Sequence, residues 1–313
     1  MKFSLCVSAY KDVFFKECLN SLINQNYDNY EIIILNDCSP GCIREISNAV
    51  DHPNLYYYEN EKNVGAIDLV DNWNKLLDLC SGDYIVIVGD DDYLSPDYLS
   101  NFHQLILANP QYAVFHCRSY IVDEKSTEFK LTNSWPNNET VLNSMYHRLS
   151  HLRNWYISDF VYSTKILRAI GGFVKLPLAW ASDDLSFYCA ALEHGVCHTE
   201  IPLLFYRESS YTISNSNAYL LKLDAVNYEY KLTKELVSKI NPQTKADEIL
   251  KSYIDLNFDR FFDRKKEDCI IQALKGSKSI LYKIKTLFAL LKNKSKASLT
   301  TYNLIKSILK SFS

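Results

Sequence analysis

The sequence has no apolar run long enough to span a bilayer, and Met1-Lys2 leads straight into a short apolar segment where a secretory leader would need a longer one. Its nine cysteines follow no pairing pattern: the number is odd, and Cys6, Cys80, Cys117 and Cys189 sit inside apolar runs. Reduced thiols in the cytosol are the expected state. Cys38 and Cys42 have no second pair at zinc spacing, and the seven histidines show no ligand spacing, so neither set is expected to hold a metal. A basic surplus is also missing. With 34 Lys and Arg against 37 Asp and Glu, a formal charge of −3, no nucleic-acid partner is expected. Acids are themselves absent from one region, since none follows Asp268 while lysines continue to Lys310.

What is present is an ordinary globular composition, 47% hydrophobic and 23% charged. The 313 residues suffice for one large domain with an appendage, or for two domains. Short β-branched runs at Phe3–Ser8, Glu31–Leu35, Leu55–Tyr58, Tyr84–Val88 and Tyr112–Val122 read as strands. Between them lie helical periodicities from about Asp12, from Cys42 to Val50, from Val64 to Cys80, and from a Ser95 N-cap with Pro96 at the first position to Ala108. Such alternation predicts an α/β domain with a mainly parallel sheet covered on both faces. Further on, Met145–Leu152 and Phe160–Ile170 read as helices, the latter closed by Gly171-Gly172. Leu185–Glu193 reads as a helix stopped at Gly195, and Val196–Tyr206 as an edge strand broken by Pro202. Beyond about residue 216 the pattern is helix without strand, which places a domain at 1–215 and a helical C-terminal region at 216–313. In its basic tail Ile280, Ile284, Leu287 and Leu291 form one apolar stripe and Ile305, Ile308, Leu309 and Phe312 another. This pair suits peripheral contact with an anionic membrane, or a cap whose stripes pack on the protein.

Ligands of parallel sheets lie outside the carboxyl ends of the strands. Those ends carry Ser8 and Tyr10, then Asp37, then Asp90, Asp91 and Asp92, so one polar rim is expected to collect them. Three successive carboxylates repel one another by about 3 kcal/mol per pair at roughly 5 Å and an effective dielectric of about 20. A cation is their natural companion, and oxygen ligands select Mg²⁺ or Mn²⁺.

Phe3-Ser-Leu-Cys-Val-Ser-Ala-Tyr, Ser21-Leu-Ile-Asn-Gln-Asn-Tyr, Tyr30-Glu-Ile-Ile-Ile-Leu-Asn-Asp-Cys-Ser, Asn63-Val-Gly, Asn72-Trp-Asn and Gly82-Asp-Tyr-Ile-Val-Ile-Val-Gly-Asp-Asp-Asp occur in an order and spacing that resembles family 2 glycosyltransferases of the GT-A fold. The resemblance covers roughly residues 1 to 210 and implies a single Rossmann-like nucleotide-sugar-binding domain and an inverting reaction. It implies donor contacts at Ser8, Ala9, Tyr10, Asp37, Asn63 and Asp90, with Asp37 at the uracil-contacting position. It implies Mn²⁺ or Mg²⁺ at Asp91, supported by Asp92, and a general base at Asp184 with Asp183 in the place of the family's Glu. Arg207, after the last strand, is a candidate for the diphosphate. The sequence departs from the pattern at Gly89, which stands where many members carry the first acid of Asp-x-Asp-Asp. No Gln-x-x-Arg-Trp motif of processive members occurs, so addition of one sugar per encounter is expected. The implied setting is surface-polysaccharide assembly on the cytoplasmic side, with a UDP-sugar donor and a saccharide or lipid-linked acceptor. Two other classes compete: a catalytically silent glycan- or protein-binding relative, and a nucleotidyltransferase that makes the sugar nucleotide. The chain lacks the Gly-rich N-terminal signature of sugar-nucleotide pyrophosphorylases.

Overall fold

A parallel strand covered on both faces must be apolar on both, and β1 (Phe3–Ala9) meets that condition, with Phe3, Leu5, Cys6 and Val7 fully buried. The computed structural model describes residues 1–209, 218–276, 279–295 and 297–312. The expected domain boundary at 215–216 and the tail lysines Lys278 and Lys296 lie outside the described residues. By contacts the chain forms two compact units, Met1–Lys175 with Ser182–Ser210, and Leu176–Ala181 with Tyr211–Ser313.

In the first unit β1 is followed by α1 (Phe15–Ile23), β2 (Tyr30–Asn36), α2 (Ile43–Asn48), β3 (Leu55–Glu59), α3 (Leu69–Leu79) and β4 (Tyr84–Val88). Then come β5 (Tyr93–Leu94), α4 (Tyr98–Ala108), β6 (Val114–Val122), β7 (Glu128–Leu131), β8 (Asn138–Glu139) and α5 (Val141–Leu149). The unit ends with β9 (Phe160–Ser163), α6 (Thr164–Ala169), α7 (Ser182–Ala190) and β10 (Val196–Arg207). The sheet runs β3-β2-β1-β4-β9-β6-β10-β5, with β7 on β6 and β8 on β10. Its long ladders are parallel, β1 with β2 and β4, β2 with β3, and β6 with β10; the antiparallel ones are short. Ala9 lies opposite Asn36 and Val7 opposite Val88, so the loops after β1, β2 and β4 leave the sheet along one edge.

Several expectations shift, each for a local reason. Phe160–Ser163 is a strand and not the start of a helix: Phe160, Val161 and Tyr162 are all buried, because β9 is paired on both sides, with β4 and β6. A run that is apolar on both faces carries no period to tell strand from helix. Helix α4 begins at Tyr98 with Asp97 as N-cap, and Ser95 and Pro96 stay outside it. The Ser95 N–H donates to Leu203 O and the Pro96 carbonyl accepts from Asn26 N, which ties both to other segments. The segment from Val64 is not continuously helical: Gly65 adopts φ +71°, a 3₁₀ turn follows at Ala66–Asp68, and α3 starts at Leu69. The helix expected at Met145–Leu152 is α5, which starts earlier at Val141, capped by Thr140. Pro202 sits in a bulge of β10, beyond the residues that β8 pairs and before those that β5 pairs, so it interrupts no outer ladder.

The second unit holds α8 (Tyr219–Lys239), α9 (Lys245–Lys275), α10 (Ile280–Lys292) and α11 (Thr301–Phe312). Phe258 and Phe262 of α9 pack on Tyr230 of α8, and the Lys222 ammonium lies 4.7 Å from the Trp180 ring centroid. No helix among the described residues is long and apolar enough to cross a membrane.

Candidate active site

Asp37 follows β2 and is almost completely buried, with both carboxylate oxygens engaged. Oδ1 accepts from Asn60 Nδ2 at 2.8 Å and the Val64 N–H at 3.0 Å, and Oδ2 accepts from Asn63 Nδ2 at 2.9 Å. Gly65 then turns the chain away, which is why the helix begins late. Asn60 also donates to Asn72 Oδ1 at 2.9 Å, and Asn72 donates to Ser8 Oγ at 3.2 Å. The Asp37 N–H donates to Ala9 O. Ser8, Ala9, Asp37 and Asn63 thus belong to one hydrogen-bonded rim. Asn63 reaches it by holding Asp37.

The acidic turn follows β4. Asp90 Oδ2 accepts from the backbone N–H groups of Tyr10 at 2.9 Å and Lys11 at 2.8 Å, which fastens the turn to the end of β1. The Lys11 ammonium lies 2.6 Å from Asp91 Oδ2 and 3.2 Å from Asp90 Oδ1. Burial pulls the Lys11 pKa down, but Asp90 and Asp91 together hold it well above the usual range. Asp92 is buried deeper: Oδ2 accepts from Ser158 Oγ at 2.9 Å and Oδ1 from the Arg207 N–H at 3.0 Å. Burial, with the charge of Asp91 adding to it, pushes the Asp92 carboxyl up to about 8. Burial also raises Asp90, against the pull of Lys11.

This packing accounts for Gly89. A Cβ at that position would lie 2.7 Å from Asp92 Oδ2 and 3.2 Å from Asp91 Oδ1, so the space that a side chain would need is filled by the carboxylates that follow it. The Gly89 N–H donates to the same Ser158 hydroxyl that supports Asp92.

Arg207 is buried, and its guanidinium donates to Asp91 O at 2.9 Å, Asp123 O at 2.8 Å, Ser126 Oγ and Glu17. It lies 4.3 Å from the centroid of the Phe14 ring. With its donors directed at these groups, the side chain ties the acidic turn to Asp123, Ser126 and Glu17. Arg207→Ala should lower unfolding free energy by about 3 kcal/mol, since it strands buried acceptors, and equilibrium urea denaturation will read this directly.

Asp183 and Asp184 lie in the first turn of α7, where the helix dipole favours carboxylates. Asp184 is 1% exposed; Trp155 Nε1 donates to its Oδ1 at 2.7 Å and Arg148 Nε to its Oδ2 at 3.0 Å. Asp183 is the more accessible of the two. Burial, then the charge of Asp184, push it up to about 7 despite the opposing effect of Arg148. Burial raises the Tyr156 hydroxyl, and the charges of Asp92 and Arg148 act on it in opposite directions.

Sequence reasoning missed Lys11, Asn60, Arg148, Trp155 and Ser158. Asn72 belonged to a recognised motif but had no role. Arg148, Trp155 and Ser158 fall in or beside a weakly patterned stretch, and their partners are up to 69 positions away, so nothing local marks them.

Residues 4–169 match the family described as Glycosyl transferase family 2. The chain belongs to glycosyl transferase family 2. Among curated members it is 25% identical over 245 residues to "Glycosyltransferase GlyA" of Streptococcus pneumoniae, covering 76% of this chain and 32% of that one. It is 34% identical over 107 residues to WcaA of Escherichia coli, provisionally named a colanic acid biosynthesis glycosyl transferase, covering 34% and 36%. The matched region thus spans about a third of the length of these relatives. Among solved structures, S. aureus TarS 1–349 in complex with UDP-GlcNAc superposes with a TM-score of 0.64 at 16% identity, over 96% of this chain and 93% of that one. The Pyrobaculum calidifontis mannosyltransferase PcManGT, in complex with GDP-Man and Mn²⁺, gives 0.54 at 14%, over 99% and 86%. At these identities the likeness establishes the fold, a GT-A-type α/β domain with C-terminal helices.

A divalent cation is chemically compatible with the acidic turn. Among the described residues no three His, Cys, Asp or Glu side chains form a ready-made cage. Mg²⁺-type ions are commonly held by one or two carboxylates and by phosphate oxygens of the substrate, so a cage is not required. Asp91 presents hard oxygen at the rim, where Lys11 already provides a positive charge, and Asp92 stands behind it.

Proposed function

We propose that this family 2 member transfers a single sugar, with inversion, from a UDP-sugar to a saccharide or lipid-linked saccharide acceptor in surface-polysaccharide assembly. The observation that carries the reading is the continuous rim in which Ser8, Ala9, Tyr10 and Asp37 meet Asp90 and Asp91. Asp37 and its asparagines form a rigid polar wall suited to a nucleobase, and Tyr10, 44% exposed, offers a ring beside it. The structures of TarS with UDP-GlcNAc and of PcManGT with GDP-Man and Mn²⁺ support a nucleotide-sugar donor. The name of WcaA supports the polysaccharide setting. Mn²⁺ or Mg²⁺ at Asp91 and Asp92 would supply neutralisation of the departing diphosphate.

The proton acceptor belongs to the Asp183–Asp184 pair, on the far side of the anomeric carbon from the diphosphate. The family pattern assigns it to Asp184. In this chain Asp184 is held by Arg148 and Trp155, whereas Asp183 is the less buried of the two, with a pKa raised to about 7. We therefore assign proton abstraction to Asp183 and its orientation to Asp184. Residues 1–215 would carry the catalysis. The helical region, 216–313, would provide peripheral contact with an anionic membrane on the cytoplasmic face.

Thermal shift with UDP-GlcNAc, UDP-glucose, UDP-galactose and GDP-mannose, each with Mn²⁺, tests the donor reading. A donor at one hundred times its Kd stabilises by about 2.7 kcal/mol. A uridine nucleotide sugar should raise Tm by several degrees more than GDP-mannose does; no shift with any of them would overturn the reading.

A further inference from the structure

Soluble helices bury apolar side chains and expose polar ones; α11 buries Leu304 but otherwise departs from this pattern. Asn303 and Ser307 are completely buried, while Tyr302 is 66% and Leu309 68% exposed, with Ile305 exposed between them. Lys306 and Lys310 reach the buried Glu267 of α9, at 2.8 Å and 3.4 Å, so these ion pairs and the buried Leu304 anchor the helix, while Tyr302, Ile305 and Leu309 stay outside. Helix α10 repeats the arrangement. It buries Thr286 and Leu290 and leaves Leu281, Ile284, Phe288 and Leu291 exposed, Phe288 at 69%.

At 100° per residue those four fall within a stripe about 80° wide, and Lys285 and Lys292 lie about 20–40° beyond one edge of it. Both lysines are exposed. The same order recurs twenty-one positions later, Leu281, Ile284, Lys285 and Phe288 corresponding to Tyr302, Ile305, Lys306 and Leu309. Two helices thus present outward apolar stripes bordered by lysine in a segment that contains no acidic residue.

From this inside-out arrangement we infer that the exposed faces of α10 and α11 insert into the headgroup region of an anionic lipid membrane, which specifies the contact included in the proposed function. A second copy of the chain fits less well, because it would bring the α10 stripes, bordered by Lys285 and Lys292, together with no carboxylate in that segment to neutralise them. An anionic lipid surface offers apolar depth for Phe288 and Leu309, and headgroup charge for Lys285 and Lys292.

Flotation of the full chain with vesicles tests this, and it separates the lipid contact from the catalytic reading because it does not depend on transfer. Vesicles with one third phosphatidylglycerol should bind at least tenfold more tightly than pure phosphatidylcholine. Phe288→Ser with Leu309→Ser should weaken that binding at least tenfold, and because both residues are exposed the circular dichroism should not change. Lys285→Gln with Lys292→Gln should reduce its salt dependence. Absence of flotation by the native chain, flotation of the serine variant at native strength, or a native dimer that this variant converts to a monomer in sedimentation would each overturn the inference.

Discussion

Asp183→Asn should lower the turnover number between a hundred- and ten-thousandfold, the range that general-base catalysis contributes, and leave donor affinity unchanged. An acceptor hydroxyl is a weak nucleophile until a carboxylate takes its proton, and Asp183 is the less buried acid at the start of α7. Its pKa, pushed to about 7 chiefly by burial, places the rise of activity with pH near neutrality and not near pH 4. The variant should lack that rise. Asp184→Asn should behave differently, losing about 2 kcal/mol of stability as its charged hydrogen bonds to Arg148 and Trp155 weaken. Steady-state kinetics from pH 5 to 9, with denaturation of both variants, separates the two roles. If Asp184→Asn abolished turnover at full stability and Asp183→Asn turned over normally, the assignment would be reversed. The same shift has a stability consequence. The folded chain keeps a proton on Asp183 that the unfolded chain, with a carboxyl near 3.8, releases earlier. This group's contribution to stability therefore falls as pH rises from about 4 to 7.

The other large effect is expected at the acidic turn. Asp91→Ala should reduce transfer about a thousandfold in saturating Mn²⁺, because neutralising the leaving diphosphate is worth several kcal/mol of barrier. Folding should change little, since Asp91 is the most accessible of the three acids and its partner Lys11 retains Asp90. The Mn²⁺-dependent part of donor-induced thermal stabilisation should disappear as well. Native activity in the variant with Mn²⁺ present would remove Asp91 from the metal site.

The sheet was legible wherever its strands were short, β-branched and followed by polar residues, as at Val7-Ser8, Leu35-Asn36 and Val88-Gly89. Legibility failed where long-range pairing decided the local structure. The run Phe160–Ser163 is a strand because β4 and β6 flank it, and no short window contains that information. The site divides in the same way. Asp37, Asp90 and Asp91 could be picked out by position after a strand, and Asp183 and Asp184 through the family resemblance. The groups that hold them, among them Asn60, Lys11, Ser158 and Arg148, come from elsewhere in the chain. Arg207 was noticed for its position and charge; the hydrogen bonds that tie it to Asp91 and Asp123 show only in three dimensions.

Gly89 limits what redesign by family consensus can do. Writing the commoner acid back at 89 would set a new side chain into the volume of the Asp92 carboxylate, 2.7 Å from its nearest oxygen. The majority residue is admissible here only if the Asp92 carboxylate, the far end of a side chain, moves aside. A consensus substitution at 89 is therefore read first in the rotamer of Asp92, and through it in the hydrogen bonds that Asp92 takes from Ser158 and Arg207.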